Sequence, residues 1–345
     1  MNINDEKIDF VLPWVDGSDK KWQKKKDSYS PISDDDSNSS KRFRDFETLK
    51  YVLRSIEKNC PWYNKIYLIT EGHYPEWLNI NHDKIILITH EELYFDKTHL
   101  PVFNSSSIEM NLANIKGLSE KFVYLNDDMI IFNKLEQSRF FIDNKPVDFL
   151  SHGWIKRGKL FHKLRGMTVW LYSLNNNLSL INRELRPFQF SKESLYHSSY
   201  DIKTKISNFL LKHVYKKYIW LDHWHHPQPY LRKTLLDVYS TFTREMMESS
   251  KNRFRANNDL TQYLYRYWHL TLNEFSPYQH NDGYDANIFD MKSLYKSINK
   301  LKKNKNINFV GFNDHIRKLE DFELIKHNLI NFLENIFSEK ASFEL

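Results

Sequence analysis

Residues 122–128 read FVYLNDD, an apolar run of strand length that ends on an asparagine and two adjacent aspartates. Aromatic and β-branched residues in such a run predict a strand covered on both faces, as in a parallel sheet flanked by helices. Upstream, IDFVLPWV (8–15) predicts another buried strand, interrupted by Pro13 and followed by the turn residues DGSD. KIYLIT (65–70) and KIILIT (84–89) predict two more, separated by a polar connection containing Gly72 and Pro75. Between them and the first strand, the helical spacing of Phe46, Leu49, Val52, Leu53 and Ile56 predicts a helix over 43–58, stopped by Pro61. A helix through Ile108, Leu112 and Ile115 ends near Gly117. Strands alternating with helices predict an α/β fold with a Rossmann-type sheet.

Past residue 136 the chain turns aromatic and basic with long polar connections, and 140–220 reads as an acceptor-side or lid insertion. A helical region resumes near 229, and the last part holds a helix over 260–272, a strand NFVGFND (308–314) and a final helix from Leu319 to Ile336. The expected organisation is an α/β part at 1–135, an insertion at 136–228 and a C-terminal part at 229–345 that packs into the first core. The polar stretch from Ser28 to Ser40 predicts a surface loop, and no solenoid repeat is evident.

With 345 residues and 41% hydrophobic content the chain can bury a sizeable core, which excludes a disordered protein. Its single cysteine, Cys60, excludes an internal disulfide framework and suits a reducing cytosol. Neither a signal peptide nor an apolar run of membrane-spanning length is read from the sequence. A formal charge of +6 favours an anionic partner: nucleic acid, a nucleotide-sugar or a membrane surface. No standard nucleic-acid motif accompanies the basic residues, so nucleic acid is not expected. The expected location is cytoplasmic, with peripheral attachment to the inner face of the plasma membrane left open.

Asp127 and Asp128, at the carboxyl end of a buried strand, lie where open α/β sheets bind ligands. Adjacent carboxylates suit Mg²⁺ (or Mn²⁺) on a diphosphate; the alternative is a pair that caps the next turn. Glu109, nineteen positions earlier, could join that site or serve as a first-turn glutamate. Asp16-Gly17-Ser18 could hold a nucleotide through turn amides, although DGS is also an ordinary turn. Within His223-Trp224-His225-His226-Pro227 the helical pairing of a zinc site is missing, and one histidine acting as general base fits better. Arg255 could clamp phosphate oxygens with its planar fork or be a solvated arginine.

In order, these fragments resemble the conserved regions of the Stealth family of sugar-1-phosphate transferases, over nearly the whole chain. The first region resembles IDFVLPWVDGSD (8–19), and the second RFRDFETLKYVLRSIEKNCPW (42–62) running through FVYLNDDMIIF (122–132). The third resembles HHPQPYLR (225–232) with RFRANND (253–259), and the fourth FVGFNDH (309–315) with ENIFSEKASFE (334–344). The resemblance implies a Rossmann-like (GT-A-like) nucleotide-sugar-binding sheet with a largely helical acceptor-side insertion. It implies transfer of a hexose-1-phosphate, a HexNAc-1-phosphate foremost, from a UDP-sugar donor to an oligosaccharide or polysaccharide hydroxyl, with release of UMP, in capsule or exopolysaccharide synthesis. The family's functional positions fall on Glu109, Asp128, His225 and Arg255. Asp127 and Asp128 take the metal, and Asp16, Gly17, Ser18, Arg42 and Asp45 take the nucleotide-sugar. Accessory modules that animal members carry between the first two regions have only the stretch 20–41 as a counterpart, which favours a simple glycan acceptor. Gln228 replaces a histidine of the animal enzyme, and Phe312-Asn313-Asp314-His315 varies the last motif. The rival readings are a metal-dependent glycosyltransferase releasing UDP and a non-catalytic glycan-binding assembly protein.

Overall fold

The structure is a computed structural model that describes residues 7–30, 44–153, 160, 163–164, 166–186 and 190–345. In chain order, β1 (Ile8–Pro13) leads to α1 (Lys20–Tyr29), α2 (Leu49–Asn59), β2 (Ile66–Thr70), β3 (Ile85–Thr89), α3 (His90–Leu93), α4 (Ser105–Glu109), β4 (Lys121–Tyr124) and β5 (Met129–Ile131). The middle of the chain holds β6 (Phe141–Ile142), β7 (Lys145–Asp148), α5 (Val169–Glu184), α6 (Lys192–Tyr196), α7 (Ile202–Leu210) and β8 (Gln228–Leu231). The last third holds α8 (Arg232–Ser250), α9 (Tyr263–Thr271), β9 (Ser276–Pro277), β10 (Gly283–Ile288), α10 (Met291–Lys303), β11 (Phe309–Asp314) and α11 (Leu319–Ile336).

The main sheet has the order β3-β2-β1-β4-β8. The first four strands are parallel, and β8 pairs antiparallel with β4 at the edge, Phe122 opposite Tyr230. Period-two alternation gives each face its own core. Phe10, Leu12, Val123 and Leu125 enter one apolar cluster, and Val11, Phe122 and Tyr124 the other. The chain lays β1, β2 and β3 outward in one direction and then returns to place β4 on the other side of β1. That reversal opens a crevice at the carboxyl ends of β1 and β4, where ligands of open α/β sheets bind.

Three local expectations shift. The helix expected from Phe43 starts at Leu49, because Glu47 sits in the left-handed region at φ 60° and its amide is held by the Asp45 carboxylate at 2.6 Å. The helix through Ile108 and Ile115 breaks after Glu109: the Asn111 side chain takes the Ser107 carbonyl and the Tyr265 hydroxyl takes the Glu109 carbonyl, both acceptors that a continuing helix would use. Residues 228–231 form strand β8, and the helix begins at Arg232, since Pro227 and Pro229 deny a helix its amides. The expected loop at 28–40 is entered by α1 as far as Tyr29, and 31–40 lie outside the described residues. The insertion also contains strands: β6 and β7 form a hairpin turned at Asp143 and Asn144, both at positive φ.

The C-terminal segment closes the first core. Phe322 of α11 stacks on Phe46 with centroids 5.3 Å apart. Arg54 of α2, its side chain 3% exposed, forks onto Glu344 through Nε at 2.6 Å and Nη2 at 2.9 Å. Arg54 keeps Glu334 and the Phe337 carbonyl through Nη1, so Glu344→Ala removes a charged fork without stranding the guanidinium and should destabilise the fold by about 2 kcal/mol, read as a lowered denaturant midpoint at unchanged slope. A loss below about 0.5 kcal/mol would reduce the pair to an ordinary surface contact.

Candidate active site

A cleft of about 880 Å³ lies at the reversal, lined by the loops after β1 and β4, the N-terminal end of α2, α4, the loop before β8 and the end of β11. At its centre the Asn126-Asp127-Asp128 turn is clamped through its backbone. The Thr48 hydroxyl donates to the Asp127 carbonyl at 2.9 Å, and the Phe312 amide donates to the Asp128 carbonyl at 3.2 Å. With the main chain so fixed, both carboxylates are free of structural duty.

Those carboxylates are poorly satisfied. Asp128 Oδ1 is buried without a hydrogen-bond partner. Burial pushes the Asp128 carboxyl up, and His225 opposes the rise. Asp127 is driven well above the usual range by burial and then by repulsion from Asp45 and Asp128. Asp45, which accepts from the Trp14 indole at 3.3 Å, is itself raised by burial. Among the described residues no three His, Cys, Asp or Glu side chains form a preformed metal cage. The pair Asp127 and Asp128, with the Asp128 Oδ1 unpartnered, nevertheless fits Mg²⁺, which binds through one or two carboxylates and completes its shell with water and substrate phosphate.

Glu109 stands on another wall. Its Oε1 accepts from the Tyr124 hydroxyl at 3.1 Å and its Oε2 from the Gln262 amide at 2.7 Å. Burial lifts its carboxyl to about 7, against the pull of the Gln262 amide and of Arg255. Arg255 reaches into the same wall, with Nη2 donating to Ser105 Oγ at 3.2 Å.

His225 is placed by three neighbours. Nε2 meets the Asn126 amide at 3.2 Å, and Nδ1 lies 3.6 Å from Asp285. Burial disfavours its cation, but Asp128 and Asp285 outweigh that and raise the imidazole above its ordinary value. The third neighbour is the bare backbone of Gly311, where a Cβ would sit 2.9 Å from Nδ1. Gly311→Ala should therefore push the ring off its mark and cut turnover roughly tenfold to a hundredfold with little change in melting temperature. Full activity in that variant would free His225 from this contact.

The loop carrying the histidines is anchored from beneath. Arg266 of α9, fully buried, forks onto Asp148 at 2.8–2.9 Å and donates from Nη1 to the Asp222 carbonyl at 2.8 Å. His269 adds a 2.8 Å contact to the same carboxylate. Burial would raise Asp148, but Arg266 and His269 together hold it well below the usual carboxylate range.

The cleft thus brings together Asp45, Glu109, Asp127, Asp128, His225 and Arg255. It does not gather Asp16, Gly17 and Ser18 among its lining. Asp16 Oδ1 is taken up by the Ser18 amide and hydroxyl at 2.8 and 2.6 Å, while Pro13, Trp14 and Val15 face the cavity. Arg42 lies outside the described residues. Arg44, two positions on, lines the cleft with Nη1 buried and unpartnered, while its Nε holds Asp314 at 2.7 Å. Asp285 and Gly311 also went unread. Gly311 could have been found as the glycine inside a buried strand, which marks a close approach of another group; Asp285 carries no local signal.

Conserved region 1 of Stealth proteins matches residues 6–34, and conserved region 2 matches residues 42–148. A capsular polysaccharide phosphotransferase, WcwK, of Streptococcus pneumoniae is 35% identical over 99% of both chains. The chain belongs to the Stealth family. An exopolysaccharide phosphotransferase, cps2G, of Lactiplantibacillus plantarum is 33% identical over 98% of this chain and 96% of its own. A receptor polysaccharide phosphotransferase, WefC, of Streptococcus oralis is 30% identical over 98% and 99%. This Stealth protein is accordingly a polysaccharide phosphotransferase, an enzyme with an α/β fold. Among solved structures, the galactosyltransferase LgtC in complex with donor and acceptor sugar analogs aligns over 95% of each chain at 8% identity and a TM-score of 0.37.

Proposed function

We propose that this enzyme moves a hexose-1-phosphate, with a HexNAc-1-phosphate as the first candidate, from a UDP-sugar to a carbohydrate hydroxyl and releases UMP. The observation that carries the reading is the cleft itself, in which an under-neutralised carboxylate group, a histidine and an arginine line one space large enough for a nucleotide-sugar. Asp127 and Asp128 would hold Mg²⁺. When bound, the ion neutralises charge on the donor diphosphate.

The chain's own residues supply the rest. Arg255 would meet the transferred phosphoryl group with its guanidinium, and Arg44 offers its buried Nη1 to the same cleft. His225 takes the proton of the acceptor hydroxyl as its oxygen attacks phosphorus. The phosphorus–oxygen bond to the uridine monophosphate then breaks, and that group leaves with the electron pair. Tyr124 and Gln262 keep Glu109 aimed at the wall it shares with Arg255. Positioning and charge stabilisation are what phosphoryl transfer asks of a protein.

A second reading has an observation of its own: Glu109, lifted to about 7, is poised to act as a base near neutrality, while His225, favoured as a cation, would meet the phosphate. The decisive experiment supplies UDP-sugars, Mg²⁺ and oligosaccharide acceptors and follows products by mass and phosphorus NMR. UMP with a new phosphodiester is expected; UDP would assign the enzyme to glycosyl transfer. On His225→Ala, turnover should fall with donor affinity intact, whereas Arg255→Ala should lose both and Arg255→Lys recover only part. Lost donor affinity in the histidine variant would favour the second reading.

A further inference from the structure

Helix α7 is built inside out. Its inward side is polar: Thr204, Ser207 and Asn208 are buried. Asn208 anchors it by donating to the carbonyls of Leu150 at 2.7 Å and Leu195 at 3.0 Å and accepting from the His152 amide at 3.1 Å. Its outward side is apolar. Ile202 is 77% exposed, Ile206 48% and Phe209 50%, at positions that form one stripe of a helix. A wider turn of π type, Leu211–Tyr215, continues the face with Val214 at 58%.

Charge frames this stripe. Residues 201–217 hold five lysines against one acidic residue, Asp201, whose carboxylate caps the helix through the Thr204 amide at 2.6 Å. On the helix, Lys203 and Lys205 fall to either side of the Ile202-Ile206-Phe209 row, and Lys212, Lys216 and Lys217 follow at its end. Long basic side chains bordering an apolar row can extend to phosphate while the row sinks between acyl chains. A self-associating helix face has no need of such a one-signed border, because two copies would set lysine against lysine.

We propose that the outward face of α7 is a docking surface for an anionic lipid bilayer. The assignment is independent of the reaction chemistry. Among the described residues no helix is long and apolar enough to cross a membrane, so attachment through this face is peripheral. It also has a geometric consequence: Thr204 and Ser207, on the inner side of the same helix, line a cavity of about 290 Å³ together with Asp222, His223 and Trp224. His223 lines the main cleft as well. One helix thickness therefore separates the bilayer surface from a chamber that adjoins the active site.

The test is sedimentation of the full chain with vesicles of phosphatidylcholine alone or mixed with phosphatidylglycerol. The wild-type protein should pellet only with the anionic vesicles and be released by salt. The double variant Ile206→Ser/Phe209→Ser should partition roughly tenfold more weakly or worse, with thermal unfolding unchanged because both side chains are already exposed. Lys212→Glu/Lys216→Glu should fail in the same way. The proposal is overturned if the wild type stays in the supernatant or if both variants pellet as the wild type does. It is overturned too if the wild type is a dimer that Ile206→Ser/Phe209→Ser converts to a monomer without any vesicle binding, which would give the face to a second copy of the chain.

Discussion

Asp128→Asn should slow transfer by roughly a thousandfold while leaving the fold as stable as before or slightly more so. The two halves of this expectation come from one fact. A carboxylate whose Oδ1 is buried with no hydrogen-bond partner contributes nothing to the native hydrogen-bond network, and burial already penalises its charge. Asparagine keeps the shape and the backbone clamps from Phe312 and Thr48, which act on main-chain carbonyls and not on the side chain. What disappears is the negative charge that the donor's counter-ion would meet. Initial rates across a Mg²⁺ titration, beside a melting curve, check both halves; turnover within about tenfold of wild type would remove Asp128 from the reacting centre.

Glu109→Gln should also lose activity, by roughly a hundredfold, and gain stability at alkaline pH. Burial holds the Glu109 carboxyl at about 7 in the folded chain, against 4.5 when unfolded. Between those values the unfolded chain releases its proton first, so wild-type stability declines as pH rises from 4.5 to about 7 and stays lowered beyond. Glutamine carries no such charge, and its amide can still accept from the Gln262 backbone and donate to the Tyr124 hydroxyl. The variant should therefore exceed wild type by about 1–3 kcal/mol at alkaline pH, with the gain fading in acid. Unfolding curves across that range would show it. A variant less stable than wild type in alkali would mean that the ionised carboxylate is well housed.

The parallel part of the sheet could be read in advance because each of its four strands announces itself locally. IDFVLP, IYLIT, IILIT and KFVY are short, apolar and bounded by turn residues, and all pair as a parallel sheet. β8 could not be read that way: QPYL carries a proline, and its place beside β4 depends on a pairing across more than a hundred residues. The helix ends were missed for two different reasons. The turn of Glu47 onto Asp45 is local but leaves no mark in the apolar spacing, and the break after Glu109 involves Tyr265 and Ser250, far along the chain. In the site, Asp127 and Asp128 were legible from their position at a strand end. Glu109, His225 and Arg255 were plausible singly and became specific only through the order of family motifs. Asp285 and the bare backbone of Gly311 against His225 required three dimensions.

The antiparallel edge strand β8 also makes the cleft a joint product of segments far apart in the chain. The acidic wall, Asp45 to Asp128, is encoded in the first 128 residues, whereas the histidine and the arginine arrive at 225 and 255. The histidine stands in the cleft beside the pairing of residues 228–231 with 121–124, with Gly311 against its imidazole. The acidic wall is no more independent of the late segments, since the Phe312 amide of β11 holds the Asp128 carbonyl and Phe322 of α11 packs on Phe46. A cut anywhere between the two ends of the chain is therefore felt by both walls of the cleft together.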